Sequence, residues 1–141
     1  MYLDTSAAAK LYLPEPESEA IQRLVGGKGP LVSSDLLVPE FASMLARKRR
    51  EGGIGPSAQR QVWALFQEHL SAGYWSLATL TRQDYGHAAD LILQCQGSVP
   101  LRTLDALHLA ACQGYGLFPL CTTDRVMQRA AGVLKIPLAG Q

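Results

Sequence analysis

Long apolar runs are missing from this 141-residue chain. None approaches the roughly 18 consecutive apolar residues of a membrane-spanning helix. A charge excess is missing too: 13 Lys and Arg stand against 12 Asp and Glu, a net charge of +1. A nucleic-acid partner must therefore be sought in local clusters and not in the total. Cysteine is scarce and odd in number. Cys95, Cys112 and Cys121 form no C-x-x-C pair and lie in apolar segments, which points to buried, reduced thiols. No internal repeat, linker or low-complexity tract interrupts the chain. Asp4 breaks the N-terminus before any secretory h-region can form, so the expectation is a soluble, cytoplasmic protein. What is present is an ordinary globular composition, 48% hydrophobic and 18% charged, long enough for one domain over residues 1–141 with a real core.

The apolar pattern alternates between short strand-like and longer helix-like stretches. Met1-Tyr2-Leu3 reads as a buried strand running into Asp4-Thr5-Ser6, residues that cap helices. Helices are expected over 7–13 and 16–25, the second stopped by Gly26-Gly27. The glycines around Lys28 form no phosphate loop, because no Ser or Thr follows the lysine; a turn is expected there. Leu31-Val32-Ser33 is a second strand. Ser34 or Asp35 should cap a long helix with Leu37, Phe41 and Leu45 as its stripe, Pro39 near its first turn and Arg47-Lys48-Arg49-Arg50 at its end. Pro56 opens a helix with Val62, Leu65, Phe66 and Leu70 as its apolar face. A strand over 74–80 and a helix over 81–97 with a capping box follow. Leu101–Cys112 carries Leu104, Leu107 and Ala111 at helical steps, with Thr103 at the capping position. A strand over 117–122, a helix over 124–131 and a short strand over 136–138 close the chain. Strands alternating with helices, without tight hairpins, define an α/β domain with a parallel sheet.

In such sheets the ligand crevice lies beyond the carboxyl ends of the strands. Asp4, Glu40, Asp105 and Asp124 each stand at the edge of an apolar element, where they can converge on that crevice. Taken singly, each has a plain reading as a helix-start acid. Taken together they need compensation: two carboxylates ~5 Å apart repel by roughly 3 kcal/mol at an effective dielectric near 20. Either some are protonated or a cation is bound. All-oxygen ligands without a His or Cys cluster suit Mg²⁺ or Mn²⁺ and not Zn²⁺. The matching chemistry is hydrolysis of a phosphate ester.

MYLDTS at the start, Glu40 in SSDLLVPEFASML, LRTLDALHLAA and CTTDRVM together resemble the motifs of PIN-domain nucleases, and within them a VapC toxin of a bacterial toxin–antitoxin pair. The resemblance covers nearly the whole chain. Pro39 directly before Glu40 departs from the family pattern. The resemblance implies a three-layer fold, with a central, mostly parallel sheet of about four or five strands flanked by helices. It further implies a Mg²⁺- or Mn²⁺-dependent endoribonuclease with Asp4, Glu40, Asp105 and Asp124 as catalytic, metal-holding acids, Asp4 and Asp105 closest. Thr122 or Thr123 would order the acids or a water, and Arg125 would contact phosphate. Thr5 and Ser6 are either substrate contacts or helix caps, with capping the simpler role. The implied partners are RNA, a cognate antitoxin and a second copy in a homodimer; no membrane is involved.

Other features have two readings. His108 shares a helix face with Asp105 and is either catalytic or a hydrogen-bonded core residue, the latter being the default. His69 and His87 carry no assignment. The basic run at 47–50 complements a helix C-terminus, or binds RNA or an acidic partner segment. Trp63 and Phe66 pack the core or line a dimer or antitoxin groove. Three rival functions stand beside the toxin. One is a PIN-domain RNA-processing nuclease without an antitoxin. Another is a phosphohydrolase with Asp4 as nucleophile, which wants an acid where Ser6 stands. The third is an inactive PIN-like module that binds RNA or protein.

Overall fold

A computed structural model describes residues 1–27 and 29–140. Its elements in chain order are β1 (Tyr2–Leu3), α1 (Thr5–Ala9), α2 (Ser18–Val25), β2 (Leu31–Ser34), α3 (Leu37–Arg50), α4 (Pro56–Ser71), β3 (Trp75–Ala78), α5 (Arg82–Cys95), α6 (Thr103–Gly114), β4 (Leu120–Cys121) and α7 (Arg125–Leu134). The strands form one four-stranded sheet in the order β3-β2-β1-β4, and every pairing is parallel. This is the α/β architecture expected, with helices on both faces of the sheet. Among the described residues, no helix is long and apolar enough to cross a membrane.

Period-two alternation in β1 sends neighbouring side chains to opposite faces. Tyr2 and Leu120 pack into a core with residues of α5, α6 and α7, including Leu91, Leu109 and Met127. Leu3 and Cys121 pack into a second core with α1, α3 and α4, centred on Phe41 and Phe66, whose rings stack at 4.1 Å. The sheet is thus the middle of three layers. Helix α6 is the most deeply sunk, with Ala106 through Cys112 buried without a break. The three cysteines are free and buried, and burial pushes the Cys112 thiol up to about 12 and Cys121 up to about 11. They stay protonated and have no nucleophilic role at neutral pH.

Several local expectations are corrected. The first helix is shorter than 7–13. It ends at Ala9, and the backbone tightens into i→i+3 bonds through Lys10, Leu11 and Tyr12 before Pro14. The second begins at Ser18 and not at 16, with Gly26 as its C-cap; the turn expected at Lys28 lies outside the described residues. Neither Ser34 nor Asp35 caps α3: its N-cap is Leu36, and the Asp35 carboxylate accepts from the Leu80 N–H instead. Thr103 is the first residue of α6 and not its cap, which is Arg102. Leu65 and Leu104 are exposed, because the helices rotate them off their core stripes. The expected final strand at 136–138 is reduced to a single bridge between Leu138 and Leu120. The capping box of α5 forms as expected, between Thr81 and Asp84. Pro39 falls within the first turn of α3, where its missing N–H has no helical partner to lose, and the Glu40 N–H already bonds to the Leu36 carbonyl at 3.2 Å. The departure from the family pattern therefore leaves the start of α3 undisturbed.

Candidate active site

Chain order and sheet order part company between β1 and β4. From β1 the chain steps outward to β2 and β3, then returns through α5 and α6 to place β4 on the other side of β1. Loops leaving β1 and β4 diverge at that point, which opens a crevice at the strands' carboxyl ends. The register Tyr2↔Leu120, Leu3↔Cys121 sets Asp4 beside Thr122. A cavity of about 1220 Å³ opens there, and Asp4, Glu40, Asp105 and Asp124 all line it. The acids come to it from two loops, those after β1 and β4, and from the first turns of α3 and α6.

Asp4 is 2% exposed and is the N-cap of α1. Its Oδ1 accepts from the Ala7 N–H at 2.9 Å and from the Ser6 hydroxyl at 2.8 Å; its Oδ2 accepts from Thr122 Oγ1 at 2.7 Å and from Ser6 at 3.0 Å. Burial raises the pKa of this carboxyl above the ordinary value, against the opposing pull of His108 and these donors. With both oxygens engaged, Asp4 is poorly set up as the free nucleophile of a phosphohydrolase. Asp124 is the N-cap of α7, and both its capping bonds, from the Val126 and Met127 N–H groups, fall on Oδ1. Glu40 accepts from Thr5 Oγ1 and His108 Nε2, each at 2.5 Å and each on Oε2. Burial alone would raise Glu40, but the His108 and Thr5 hydrogen bonds outweigh it and hold this carboxyl below its usual range.

Asp105 differs from the other acids. Its Oδ2 is buried without a hydrogen bond, and its nearest cation, Arg102 Nε, is 3.6 Å away. Burial and the charges of Asp124 and Glu40 raise it, only partly offset by Arg102 and His108. A buried carboxylate oxygen with like charges around it and no donor is what a hard cation would satisfy. Among the described residues, no three His, Cys, Asp or Glu side chains already form a closed metal cage. Three of the acids are turned toward protein donors. Mg²⁺ needs no such cage, since it commonly takes one or two carboxylates and completes its octahedron with water and substrate oxygens. The donor set therefore fits such an ion.

The remaining expected residues are distributed unevenly. Thr122, and not Thr123, brings its hydroxyl to the acids; Thr123 lines the cavity and its N–H donates to Ser6 Oγ at 2.9 Å. Neither Thr5 nor Ser6 caps α1, because Asp4 does; both instead tie acids in place. Arg125 is exposed at the start of α7 and lies outside the cavity lining. The basic run at the end of α3 does reach the cavity: Arg47, Lys48 and Arg50 line it together with Lys10 and Arg102. Arg102 and Lys10 were not singled out by the sequence, since nothing local marks them. Phe66 is core, whereas Trp63 lines a small groove with Ala42, Leu45, Gln59 and Arg60.

Two of the wall's lysines are held by Glu15, which pairs with Lys10 at 2.9 Å and more closely still with Lys48. Burial works against the charge on Glu15, but Lys48 and Lys10 bring it below the ordinary value of 4.5. A lowered carboxyl stabilises the fold above its unfolded value and loses that contribution as pH falls through the folded one. Glu15→Gln is expected to cost roughly 0.5–1 kcal/mol at neutral pH, as a partly exposed pair does. Urea melts of the two proteins should converge in acid; a constant gap at every pH would contradict the assignment.

The chain is thus a parallel three-layer α/β unit with an acid-lined crevice at its switch point. The PIN domain family model matches residues 1–133, and the chain belongs to that family. It is also 37% identical over 139 residues to Ribonuclease VapC46 of Mycobacterium tuberculosis (strain ATCC 25618 / H37Rv), covering 95% of this chain and 92% of that protein. The similarity to that ribonuclease thus extends over nearly the whole chain.

Proposed function

We propose that this protein is a Mg²⁺- or Mn²⁺-dependent endoribonuclease that hydrolyses RNA phosphodiester bonds, acting as one nuclease domain over residues 1–141. In this reading it is the cytoplasmic toxin of a toxin–antitoxin pair. The observation that carries the chemistry is the buried Oδ2 of Asp105, which accepts no hydrogen bond, in a cavity it shares with Asp4, Glu40 and Asp124. Asp105 would be the principal holder of the cation, with Glu40 and Asp124 offering the oxygens that their protein donors leave unused, Oε1 and Oδ2. Asp4 would add charge from the floor; the Ser6 hydroxyl, whose one proton is spread over both Asp4 oxygens, is the donor most easily displaced. A bound divalent cation would neutralise charge on the phosphate and activate a water.

RNA as substrate is supported by the basic side chains that line the same cavity. Arg47 and Arg50 line the cavity and can fork onto phosphate oxygens, and Arg102, whose Nε lies 3.6 Å from Asp105 Oδ2, can turn to phosphate where a cation takes that oxygen. Thr123 would face substrate from the cavity lining, Thr5 and Ser6 would act through the acids they hold, and Arg125, exposed outside the cavity, would meet only RNA that runs beyond it. The antitoxin and the homodimer rest on the relationship to VapC-type proteins.

Cleavage of a structured RNA by the purified protein should require Mn²⁺ or Mg²⁺ and stop with EDTA. Cutting that continues in EDTA would sink the mechanism. In the same assay the Arg47→Ala, Arg50→Ala pair should raise KM at least about tenfold and leave kcat within a few-fold, as expected for lost ground-state contacts. The salt dependence of binding should also flatten, by about 0.7 in slope for each single-strand phosphate contact removed. An unchanged slope would return these arginines to a solubilising role.

A further inference from the structure

His108 is 2% exposed on α6, flanked by the buried Leu107 and Leu109. A polar ring carried that deep is costly unless both nitrogens find partners. Both do. Nδ1 lies 2.6 Å from the Tyr2 hydroxyl, which in turn lies 2.9 Å from Ser34 Oγ. Nε2 lies 2.5 Å from Glu40 Oε2 and 3.3 Å from Thr5 Oγ1. An ionised carboxylate can only accept, so Nε2 must carry a proton. The ring therefore links the deep core, through β1 and β2, to an acid lining the cavity. Core satisfaction alone would have been met by one carbonyl and one hydroxyl. Here one partner is an acid of the crevice, and neither the His108 nor the Thr5 contact uses its Oε1.

We propose that His108 is a positioning residue: anchored by Tyr2, it fixes Glu40 through Oε2 so that Oε1 is the oxygen left available to a divalent cation. This rests on the metal-dependent reading above. Such outer partners of metal-ligating carboxylates orient the ligand, and their loss typically costs ~10–100-fold in metal affinity.

Two conservative substitutions separate the two ring nitrogens. His108→Gln can keep an N–H donor near the Nε2 position, and His108→Asn keeps a polar group near Nδ1 but withdraws the donor from Glu40. The measurement is Mn²⁺ affinity of the metal-free protein by calorimetry, beside a melting curve for each variant. His108→Asn should bind Mn²⁺ ~10–100-fold more weakly, and His108→Gln should stay within about 3-fold of wild type. Tyr2→Phe, which removes only the hydroxyl behind Nδ1, should lose a few-fold and serves if His108→Asn does not fold. In a Glu40→Gln background, the Asn substitution should add nothing, because its effect runs through Glu40. Wild-type affinity in both His108→Asn and Tyr2→Phe would overturn the proposal, as would an Asn effect of equal size with and without Glu40. If Glu40→Gln itself binds Mn²⁺ like wild type, the fault lies earlier, in the assignment of Glu40 to the metal.

Discussion

Asp105→Asn is expected to abolish metal-dependent RNA cleavage while raising the melting temperature of the metal-free protein. The two effects have opposite signs for one reason. Asp105 holds a buried oxygen with no donor, close enough to Asp124 and Glu40 to be raised by their charge. Without a cation, that charge opposes folding. The carboxyl's folded value lies above its ordinary 3.8, so the folded state binds this proton more tightly than the unfolded chain does. The stability linked to that proton is present in acid and is lost as pH rises from the unfolded value through the folded one. The Asn variant should therefore melt with wild type in acid and a few degrees higher, roughly 2–4 °C, near neutrality. Added Mn²⁺ should reverse the order by stabilising wild type more. Activity should fall by at least ~10²-fold, since the principal acid for the cation is gone. An Asn variant that cleaves RNA, or that melts lower than wild type in EDTA at neutral pH, would show that Asp105 is an ordinary helix-start acid.

Asp4→Ala should fail in a different way, losing stability as well as activity. Asp4 accepts from the Ala7 N–H, Ser6 and Thr122, so truncation removes the α1 cap and strands a buried hydroxyl. Loss of the cap costs about 1 kcal/mol and the stranded groups about 1–3 more. Relief from burying a charge offsets part of this, leaving roughly 2–3 kcal/mol. Asp4→Asn, which keeps one acceptor oxygen, should cost about half as much and be equally inactive. Urea melts at neutral pH test this, and an Asp4→Ala protein with the wild-type midpoint would remove Asp4 from its structural role. The contrast between Asp4 and Asp105 is useful in itself. One acid is satisfied by protein and holds the crevice together; the other is left for something else to satisfy.

The sequence alone was enough for the order of elements and for the acids' places at their edges. Capping chemistry and apolar period are local properties, and they are written into a few neighbouring residues. Thr81 and Asp84 formed their box, and Asp124 capped its helix, because no distant contact competed for them. Asp35 failed as a cap because a distant N–H, that of Leu80, claimed its carboxylate. Leu65 and Leu104 fit the helical step yet stand in solvent, since the step fixes a stripe but not which neighbour will cover it. His108 was legible as a hydrogen-bonded core histidine, but its partners, Tyr2 and Glu40, lie 106 and 68 residues away.

By itself, then, the sequence determined an α/β domain with a parallel sheet, four acids at the strand ends and helix starts, and the family to which the motifs belong. Tertiary structure decided which oxygens of those acids are already taken. It also decided that Thr122 and not its neighbour orders them, and that Arg47, Arg50 and Arg102 reach the crevice while Arg125 does not. The physical reason is one of range. Propensity, capping and periodicity act over a helical turn, whereas the fate of a carboxylate oxygen depends on donors that only chain crossing and strand register bring within 3 Å or so.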